Sequence, residues 1–544
     1  MAAHERLIAK TSIASSTLLQ RLATVLPKDT SFKIYHLSTP PTRSSAIYSA
    51  PPNTRLDRTY CESHFLAASI NTSAKDNGKE SAEVLVYAIE ILIYSTAYDS
   101  TFFVSKADST GYLHHLGLQK GTSSPLRDIS AIFLQHLVEE HRRPNIRSVI
   151  SLFARAQDQY LFPGSVEYSG KHVLDDRGLV KWWCRVLDPL IEKSKPSTQP
   201  NTTQWDSVKG YLTIPGLDSR ETLSFIPRKT PLSSSSWIMG HPLQEISRHS
   251  EDVPPRCLIP HYPDDPKARF LDELDDEITK GKDNGSGQWK SVRTISQFWD
   301  TMAFRQECSA GRMVGFIWIV FAPEIQQDPA DAMISDSQST FTTNDSQTWD
   351  DSTFLGVPNG SSLPVTPSTS FYASSQIQPL SPPLKQTSDA PPESQQSVRS
   401  SKPRTPKKKK KKKLVGPIIP RQPRIKTENT SAEDDILERP EHTPYYLWRP
   451  EGRGQIVVDE SDYKRVTELL LRLDFANLEL ATSSTKRWTN EVRSNNSGNA
   501  DTWGQAVTGT NWTVKKRKAD TEVAAPALAI NVMSAGMIRK KAKV

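Results

Sequence analysis

The fold is decided by the stretch Val84-Leu-Val-Tyr-Ala-Ile-Glu-Ile-Leu-Ile-Tyr94, in which Glu90 is the single charged residue. Its aliphatic, β-branched and aromatic residues are typical of a strand that is buried on both faces. Thr101–Lys106 predicts a second strand across the turn Thr96–Ser100, and Ala107–Gly111 then predicts a tight polar loop. The stretch therefore indicates a hairpin at the centre of a sheet.

Helices are predicted downstream of this hairpin by apolar residues at helical spacing. The first begins at Pro125, which suits the first turn of a helix, and the second begins near Asp175-Asp176, whose carboxylates suit a helix amino terminus. A third helix is predicted for Ile295–Arg305 and a buried strand for Val314–Ala322. This mixture predicts an α/β (α+β) fold with a central mixed β-sheet surrounded by helices.

The composition changes near residue 325 and divides the 544 residues into parts with different expectations. Residues 20–325 carry the apolar runs and are expected to fold. Residues 326–440 are rich in Ser, Thr, Pro and Gln. They predict a long disordered internal loop, because they offer little apolar surface to offset the entropy lost on ordering. Residues 491–544 are predicted to be a disordered basic tail.

Order is expected to return between the loop and the tail, in residues 441–490. Gln455–Val458 is strand-like, and one amphipathic helix is predicted from Asp462, with Leu478 as the last residue of its apolar side. A single amphipathic helix is not stable by itself in water. We therefore predict that this segment packs back onto residues 20–325 and completes the same domain, since lengthening a loop costs little entropy.

Cysteine usage and the longest apolar runs restrict the class of protein. The four cysteines are scattered without a C-x-x-C pair, which argues against a zinc site and a secreted disulfide scaffold and favours a reduced intracellular compartment. The longest apolar runs, Val84–Tyr94 and Val314–Ala322, are shorter than the roughly 20 residues of a membrane-spanning helix. We expect neither a metal nor a membrane.

Basic clusters predict a nuclear address. The net charge is +7, and its excess is concentrated in Lys407–Lys413, Lys515–Lys518 and Arg539–Lys543, which are typical of sequences read by nuclear import receptors. The same clusters could also contact DNA non-specifically, or could be solvated charge without a partner. A mitochondrial presequence over Met1–Pro27 is the alternative address. We predict the nucleus.

Generic catalytic motifs for phosphate, dinucleotide or zinc chemistry are absent from the sequence, but five blocks carry a specific signal. The blocks are Phe103-Val-Ser-Lys-Ala-Asp-Ser-Thr-Gly-Tyr112, Gln159-Tyr-Leu-Phe-Pro163, Asp176-Arg-Gly-Leu-Val-Lys-Trp-Trp-Cys184, Ile259-Pro-His-Tyr-Pro-Asp-Asp-Pro-Lys-Ala-Arg-Phe270 and Phe298-Trp-Asp-Thr-Met-Ala-Phe-Arg-Gln-Glu307. In this order they closely resemble the fungal histone acetyltransferase family known as the regulator of Ty transposition. The resemblance covers about residues 20–325 and continues from Tyr445 to about Trp488.

This resemblance implies a function and partners. The chain would be a histone lysine acetyltransferase that uses acetyl-CoA and acts on newly synthesised histone H3, in chromatin assembly and the DNA damage response. It would depend on histone chaperones of the anti-silencing-function and nucleosome-assembly-protein classes that handle H3–H4. Its fold would be similar to the acetyltransferase domain of the CREB-binding-protein coactivators. A non-enzymatic chromatin or histone-chaperone adaptor is the alternative.

The resemblance also implies a site. The catalytic pocket would contain Asp265, with Asp264, Tyr160 and Trp183 around it, and Lys267 would be acetylated by the enzyme itself. The cofactor-binding residues would be Ala107, Asp108, Ser109, Ser123, Ser124, Pro125, Leu126, Arg127, Phe153, Gln157, His172, Val173, Leu174 and Trp182.

These residue types suit acetyl transfer, which needs a neutral amine aligned with a thioester and neutralised cofactor phosphates. The helix start at Pro125 offers free backbone N–H groups and the Arg127 cation to a pyrophosphate, although a plain helix start has the same pattern. Asp265 or Tyr160 could accept the amine proton. Without the resemblance, Asp-Asp-Pro is typical of a turn and Trp183 of a core residue.

Overall fold

The computed structural model describes most of the chain outside the predicted internal loop and the termini. The described residues are 17–72, 81–119, 121–193, 205–227, 236–249, 252–280, 287–305, 308, 312–323, 439–494 and 503–512. The predicted internal loop lies outside these ranges except for its last two residues, and so does the tail beyond residue 512. The predictions of disorder for those segments therefore concern residues outside the described part.

One mixed sheet of eleven strands forms the centre of the described structure. The strands are β1 (Ser31–Ser38), β2 (Thr42–Ser44), β3 (Thr59–Asn71), β4 (Glu83–Ser95), β5 (Asp99–Ser109), β6 (Arg147–Arg155), β7 (Trp205–Thr213), β8 (Trp237–Met239), β9 (Val314–Pro323), β10 (Ile456–Val457) and β11 (Gln505–Thr508). Their order is β10-β1-β3-β4-β5-β6-β9-β7-β8, with β11 paired to β1 and β2 to β3. The pairs β1–β10, β5–β6 and β7–β8 are parallel and the rest are antiparallel. The predicted mixed sheet is confirmed.

Helices pack around this sheet, as predicted. The described helices are α1 (Leu18–Val25), α2 (Pro125–Glu140), α3 (Asp176–Lys193), α4 (Ser219–Leu223), α5 (Ala268–Lys280), α6 (Ile295–Met302), α7 (Glu460–Leu470) and α8 (Leu478–Ser494). Pro125 and Asp176 are first residues of helices, as predicted. Helix α6 ends three residues before the predicted Arg305, because Phe304 and Arg305 make tighter i→i−3 hydrogen bonds. None of these helices has the length and apolarity to cross a membrane.

The predicted hairpin is present at the centre of the sheet. Strand β4 is buried along nearly its whole length and lies between β3 and β5. The Thr96 hydroxyl holds the turn, since it donates to Asp99 Oδ1 over 2.6 Å and accepts the N–H of Tyr98 over 3.1 Å. One expectation was wrong: Ala107–Ser109 are not loop residues, because the ladder with β4 continues through Ser109.

The helix predicted from Asp462 to Leu478 is wrong in extent, because two helices occupy this region. The chain leaves the helical path after Leu470 and turns Phe475 into the core, where its N–H donates to Pro163 O over 2.8 Å. A new helix then starts after Asn477, whose side chain accepts the N–H of Leu480 over 3.0 Å. Apolar residues continue at helical spacing on both sides of this break, so the sequence pattern did not indicate it.

The predicted start of the disordered tail at residue 491 is also wrong. Helix α8 continues to Ser494, and β11 pairs antiparallel with β1, with Phe32 opposite Val507. Both side chains are buried. Four residues with one buried side chain are a weak signal in the sequence, because the sheet edge that receives them lies more than 460 residues earlier in the chain.

The segment after the long loop packs on the same hydrophobic core as the first part of the chain. Trp488 is fully buried, with its ring 6.0 Å from Tyr35 and 5.9 Å from Phe65. The Thr485 hydroxyl accepts the N–H of Leu85 in the central strand over 3.0 Å. The first and last described parts of the chain therefore share their interior.

Candidate active site

A cleft of about 280 Å³ opens at the edge of the sheet where β5 and β6 end. These strands are parallel, so their carboxyl ends meet at the same edge. Such an edge is the usual place for a ligand site in open α/β sheets. The lining residues are Tyr87, Ala107, Asp108, Ser109, Leu126, Ala156, Gln157, Asp158, Tyr160, Lys171, His172, Val173, Leu174, Leu179, Trp182 and Trp183.

The carboxylate of Asp176 and the close approach of the chain at Gly111 hold the walls of the cleft in place. Asp176, at the start of α3, accepts the N–H of Ala156 and the N–H of Met313, each over 2.9 Å. These bonds tie the helix to the loop after β6 and to the residue before β9. Gly111 has a φ of 93°, and a Cβ there would lie 2.6 Å from the backbone of Lys171. Only glycine lets the chain approach so closely at this point.

Most of the predicted cofactor-binding residues line this cleft. They are Ala107, Asp108, Ser109, Leu126, Gln157, His172, Val173, Leu174 and Trp182. Tyr160 and Trp183, two of the predicted catalytic residues, line it as well. The fold thus assembles one cleft from residues that lie far apart in the sequence.

The Asp108 carboxylate lies in the wall of the cleft and is fully engaged by the protein. Its Oδ2 accepts the backbone N–H groups of Tyr160, Leu161 and Phe162 over 2.7, 2.9 and 3.3 Å. Its Oδ1 pairs with Lys171 Nζ over 3.0 Å. Asp108 therefore fixes the backbone of residues 160–162, and its carboxylate has little capacity left to bind a ligand.

A narrower cavity of about 40 Å³ adjoins the cleft. It shares Ala107, Tyr160, Leu179 and Trp183 with the cleft, and Phe153, a predicted cofactor contact, lines only this narrower part. The Tyr160 hydroxyl donates to Arg155 O over 2.9 Å. Tyr160 and Trp183 therefore stand on the wall between a wide opening and a narrow one.

Lys106 lines the narrow cavity and connects it to the predicted catalytic loop. Its Nζ lies 3.2 Å from the exposed Asp264 carboxylate and 3.4 Å from that of Glu90. Burial lowers the pKa of Lys106, but the two carboxylates outweigh burial, so this pKa is raised and the ammonium is stable. Asp264 has a φ of 55°, as the turn predicted for Asp-Asp-Pro allows.

Asp265 and Lys267 form a buried pair that lines neither cavity. The Lys267 ammonium donates to Asp265 Oδ2, and the Lys267 backbone N–H donates to Oδ1 over 2.9 Å. The ammonium also lies 4.8 Å from the ring of Phe316, which is opposite Phe153 in the sheet. The structure therefore buries Asp265 outside both cavities, with its carboxylate already paired.

The start of α2 brings Leu126 to the cleft, whereas Ser123, Ser124, Pro125 and Arg127 are not among its lining residues. Arg127 donates to Ser123 Oγ over 2.6 Å, and its Nε lies 3.6 Å from the Asp128 carboxylate. Ser124 makes no side-chain capping bond, so the first backbone N–H groups of α2 have no partner from that side chain.

Comparison with known proteins identifies the family. A model of the histone acetyltransferase KAT11-type domain matches residues 18–148 and 141–491. The chain belongs to this family. The histone acetyltransferase rtt109 of Aspergillus flavus is 38% identical over 542 residues, which is 96% of this chain and 88% of that protein. The histone acetyltransferase rtt109 of Schizosaccharomyces pombe is 35% identical over 243 residues, 44% of this chain and 57% of that protein.

A solved structure shows the same relationship in three dimensions. The crystal structure of Rtt109 from Aspergillus fumigatus matches 92% of this chain and 100% of that chain, with 35% identity and a TM-score of 0.62. The resemblance inferred from the five sequence blocks is confirmed. As a member of the KAT11-type family the chain is a histone lysine acetyltransferase, which implies acetyl-CoA as co-substrate and decides against the non-enzymatic adaptor.

Sequence reasoning missed the cationic partners in this KAT11-type site. Lys171 immediately precedes the predicted His172, and Lys106 immediately precedes the predicted Ala107. Both ammonium groups pair with aspartates that the sequence did single out. Their position beside predicted site residues was the available signal, but a lysine on such a stretch is more often solvated than paired.

Proposed function

We propose that this enzyme acetylates lysine side chains of newly synthesised histone H3 in the nucleus, with chaperones presenting H3–H4. The observation that carries the proposal is the wide cleft that continues into a narrow cavity, with Tyr160 and Trp183 on their shared wall. Transfer between a bulky thioester and a slender lysine side chain needs two such openings that meet at the reacting atoms.

Acetyl-CoA would occupy the wide cleft. The residues of Ala107–Ser109 and His172–Leu174 line it, and Trp182 adds an apolar surface. The pyrophosphate would lie at the start of α2, where backbone N–H groups that the Ser124 side chain does not cap and the positive end of the helix dipole favour an anion. Arg127 would contribute its cation there by releasing Asp128.

The lysine of the substrate would enter through the narrow cavity. Its amine must lose a proton before it attacks the thioester carbonyl, and the proton must pass to an acceptor within hydrogen-bond distance. The Tyr160 hydroxyl donates to Arg155 O, so its oxygen would accept a hydrogen bond from the amine and orient it, and the proton would leave to solvent in the open cleft. Asp264 stands beside Lys106, at the side of the cavity where a cationic substrate gains from a carboxylate.

Asp265 would act after Lys267 is acetylated. In the unmodified protein the ammonium of Lys267 neutralises this buried carboxylate. Acetylation removes the charge and leaves one amide N–H that can still donate to Asp265. We infer that autoacetylation converts Asp265 from half of an ion pair into a carboxylate that supports proton removal from the substrate.

The proposed partners and location rest on the family to which the chain belongs. H3–H4 is the proposed substrate, and chaperones of the anti-silencing-function and nucleosome-assembly-protein classes would present it. The basic clusters predicted to direct nuclear import or contact DNA lie outside the described residues. Roles in chromatin assembly and the DNA damage response are proposed with them.

An acetylation assay tests this function. The full chain is incubated with acetyl-CoA and H3–H4, with each chaperone class in turn, and the modified lysines are identified by mass spectrometry. We expect modification of H3 lysines that increases and changes position with the chaperone. Modification of H4 alone, or a rate that no chaperone changes, would contradict the proposal.

A further inference from the structure

A cluster of buried polar side chains lies between the sheet and α2, apart from both cavities of the active site. Glu62 and His64 are two residues apart on β3 and so project from the same face, and His141 directly follows α2. All three are buried. One nitrogen or oxygen atom from each lies within 4.8 Å of the other two.

The short contacts all converge on the Glu62 carboxylate. His64 Nε2 lies 2.8 Å from Glu62 Oε1, and His141 Nε2 lies 3.3 Å from the same atom. Ligands of a tetrahedral zinc ion stand about 3.3 Å apart, because each lies roughly 2.0–2.2 Å from the metal. The two contacts to Glu62 lie within about 0.5 Å of this spacing, and all three ligand atoms lie within 4.8 Å of one another.

The hydrogen bonds on the far sides of the two rings favour the same interpretation. His141 Nδ1 lies 2.8 Å from Leu137 O. A carbonyl oxygen only accepts, so Nδ1 carries the proton, and the neutral form of the ring would hold the lone pair of Nε2 on the side of Glu62. His64 Nδ1 lies 2.9 Å from His36 Nε2. Metal-binding histidines almost always have such a partner for the second ring nitrogen, which fixes the tautomer and the ring.

We propose that Glu62, His64 and His141 form a structural metal site that takes Zn²⁺. Imidazole nitrogen and carboxylate oxygen are both zinc ligands, and their combination favours Zn²⁺ over Ca²⁺ or Mg²⁺, which prefer oxygen alone. A water molecule or the second oxygen of Glu62 would complete four-coordination. The ion would replace the protons that otherwise lie between the rings and the carboxylate.

The place of the site in the fold indicates what the ion would do. It would tie β3 to the carboxyl end of α2, the helix whose first turn reaches the cleft. A Cβ on Gly452 would lie 3.0 Å from the ring of His141, so the segment after the long loop covers the site closely. The ion would therefore stabilise the domain and take no part in acetyl transfer.

Without an ion, the same contacts form a hydrogen-bonded group in which His64 and His141 both contact the Glu62 carboxylate. The amount of zinc bound per chain distinguishes the metal site from the metal-free hydrogen-bonded group. The full chain, with any affinity tag removed, is dialysed against Zn²⁺ and then against metal-free buffer, and bound zinc is measured by mass spectrometry. We expect about one zinc ion per chain, as one tetrahedral site requires, and loss of most of it in Glu62→Gln and His141→Gln.

His136→Gln is the matched control, because His136 is a buried histidine of α2 that lies outside the trio. It should keep its zinc. Replacing His36, the partner of His64, should weaken zinc binding by about 10- to 100-fold. Zinc content that is equal in wild type and His141→Gln, or absent from both, overturns the proposal.

A spectrum of the wild-type protein covers the case in which the variants fail to fold. Co²⁺ replaces Zn²⁺ in tetrahedral sites and gives intense visible absorption there. Titration of the metal-free full chain with Co²⁺ should produce this absorption up to one equivalent, and Zn²⁺ should abolish it. A weak, octahedral spectrum throughout the titration would show that no such site exists.

Discussion

At the scale of single residues, the charged side chains of the active site are engaged mainly with one another. Each aspartate of the predicted site has an ammonium partner. The pairs are Asp108–Lys171, Asp264–Lys106 and Asp265–Lys267. A substitution in the first or the last pair leaves its partner's charge buried and uncompensated, which affects stability as well as activity.

Asp108→Ala is expected to destabilise the protein by about 3–5 kcal/mol, because it leaves buried Lys171 unpaired. It also removes the acceptor of the Tyr160, Leu161 and Phe162 N–H groups, so the KM for acetyl-CoA should rise. Denaturant unfolding and steady-state kinetics measure the two effects. Asp158→Ala is the matched control: this exposed aspartate of the same cleft should change stability by less than about 0.5 kcal/mol.

Lys267 should be acetylated in enzyme freshly purified from bacteria, as peptide mass spectrometry can show. Lys267→Arg keeps the positive charge beside Asp265 and should lower kcat by roughly 10-fold or more, which is part of the roughly 10²–10⁴-fold that general acid–base catalysis contributes. Lys267→Gln, which has an uncharged amide like the acetylated residue, should retain more activity. Full activity of Lys267→Arg would contradict the role assigned to the modification.

Acid should destabilise the protein partly through His241. Burial lowers its pKa below the ordinary 6.5, and its Nδ1 has no hydrogen-bond partner in the described part of the chain. Below pH 6.5 the unfolded chain therefore binds a proton that the folded chain does not, so stability falls as pH falls. His241→Phe keeps a ring against Trp299 and should lose less stability between pH 7 and pH 5 in urea unfolding. Parallel pH curves for both proteins would exclude this contribution.

The sequence could predict which residues come together when they lie in contiguous blocks. It could not predict an environment that depends on residues far apart in the chain. Ala107–Ser109 and His172–Leu174, each a contiguous stretch, were predicted to share a site, and both line the cleft. The burial of Asp265 was not predictable, because it depends on Phe316 and Tyr262 packing around Lys267. Sequence alone indicated a turn at Asp264-Asp265, and that turn is present.

At the scale of elements, helix and strand positions were predictable wherever one periodicity dominated. The stretch Val84–Tyr94 became β4 with one further residue at each end, and Pro125 opened α2. Errors arose where periodicity continued across a change of direction, as between Leu470 and Leu478. Strand β11 was missed because four residues paired to a distant edge carry almost no local pattern.

Helix α8 depends on its packing against β4 and not on its own helical propensity. Trp488 is fully buried and its Nε1 donates to Val466 O over 3.2 Å. Trp488→Ala should therefore cost about 3–5 kcal/mol in the free energy of unfolding. Trp512→Ala is the control for the same substitution, since Trp512 is 74% exposed and should cost less than about 1 kcal/mol. Similar costs for the two variants in urea unfolding would show that α8 is not part of the cooperative unit.

At the scale of the whole molecule, the sheet is closed at one edge by the end of the chain. Strands β10 and β11 both pair with β1, at Leu37–Ser38 and Ser31–Ile34 respectively. The described residues before the long loop and those after it belong to one compact unit. The apolar side of one predicted helix indicated that the segment after the predicted loop packs on the first part of the chain. The sequence could not show that this segment also adds strands to the sheet.

The last prediction follows from this shared edge. A fragment that ends at Ala330 would leave β1 as an open edge and expose the surface that Val466, Leu470 and Trp488 cover. Each large buried side chain contributes roughly 1.5–3 kcal/mol, so the loss exceeds a sizeable part of the 5–15 kcal/mol that stabilises a typical domain. We expect the fragment to aggregate or to melt without cooperativity, and co-expression with residues 427–544 to restore a cooperative transition. Deleting residues 340–400 is the control, because shortening a loop of this composition changes closure entropy by about 1 kcal/mol or less. A fragment 1–330 that melts as cooperatively and at the same temperature as the full chain would show that the final segment is an accessory to a core that is complete without it.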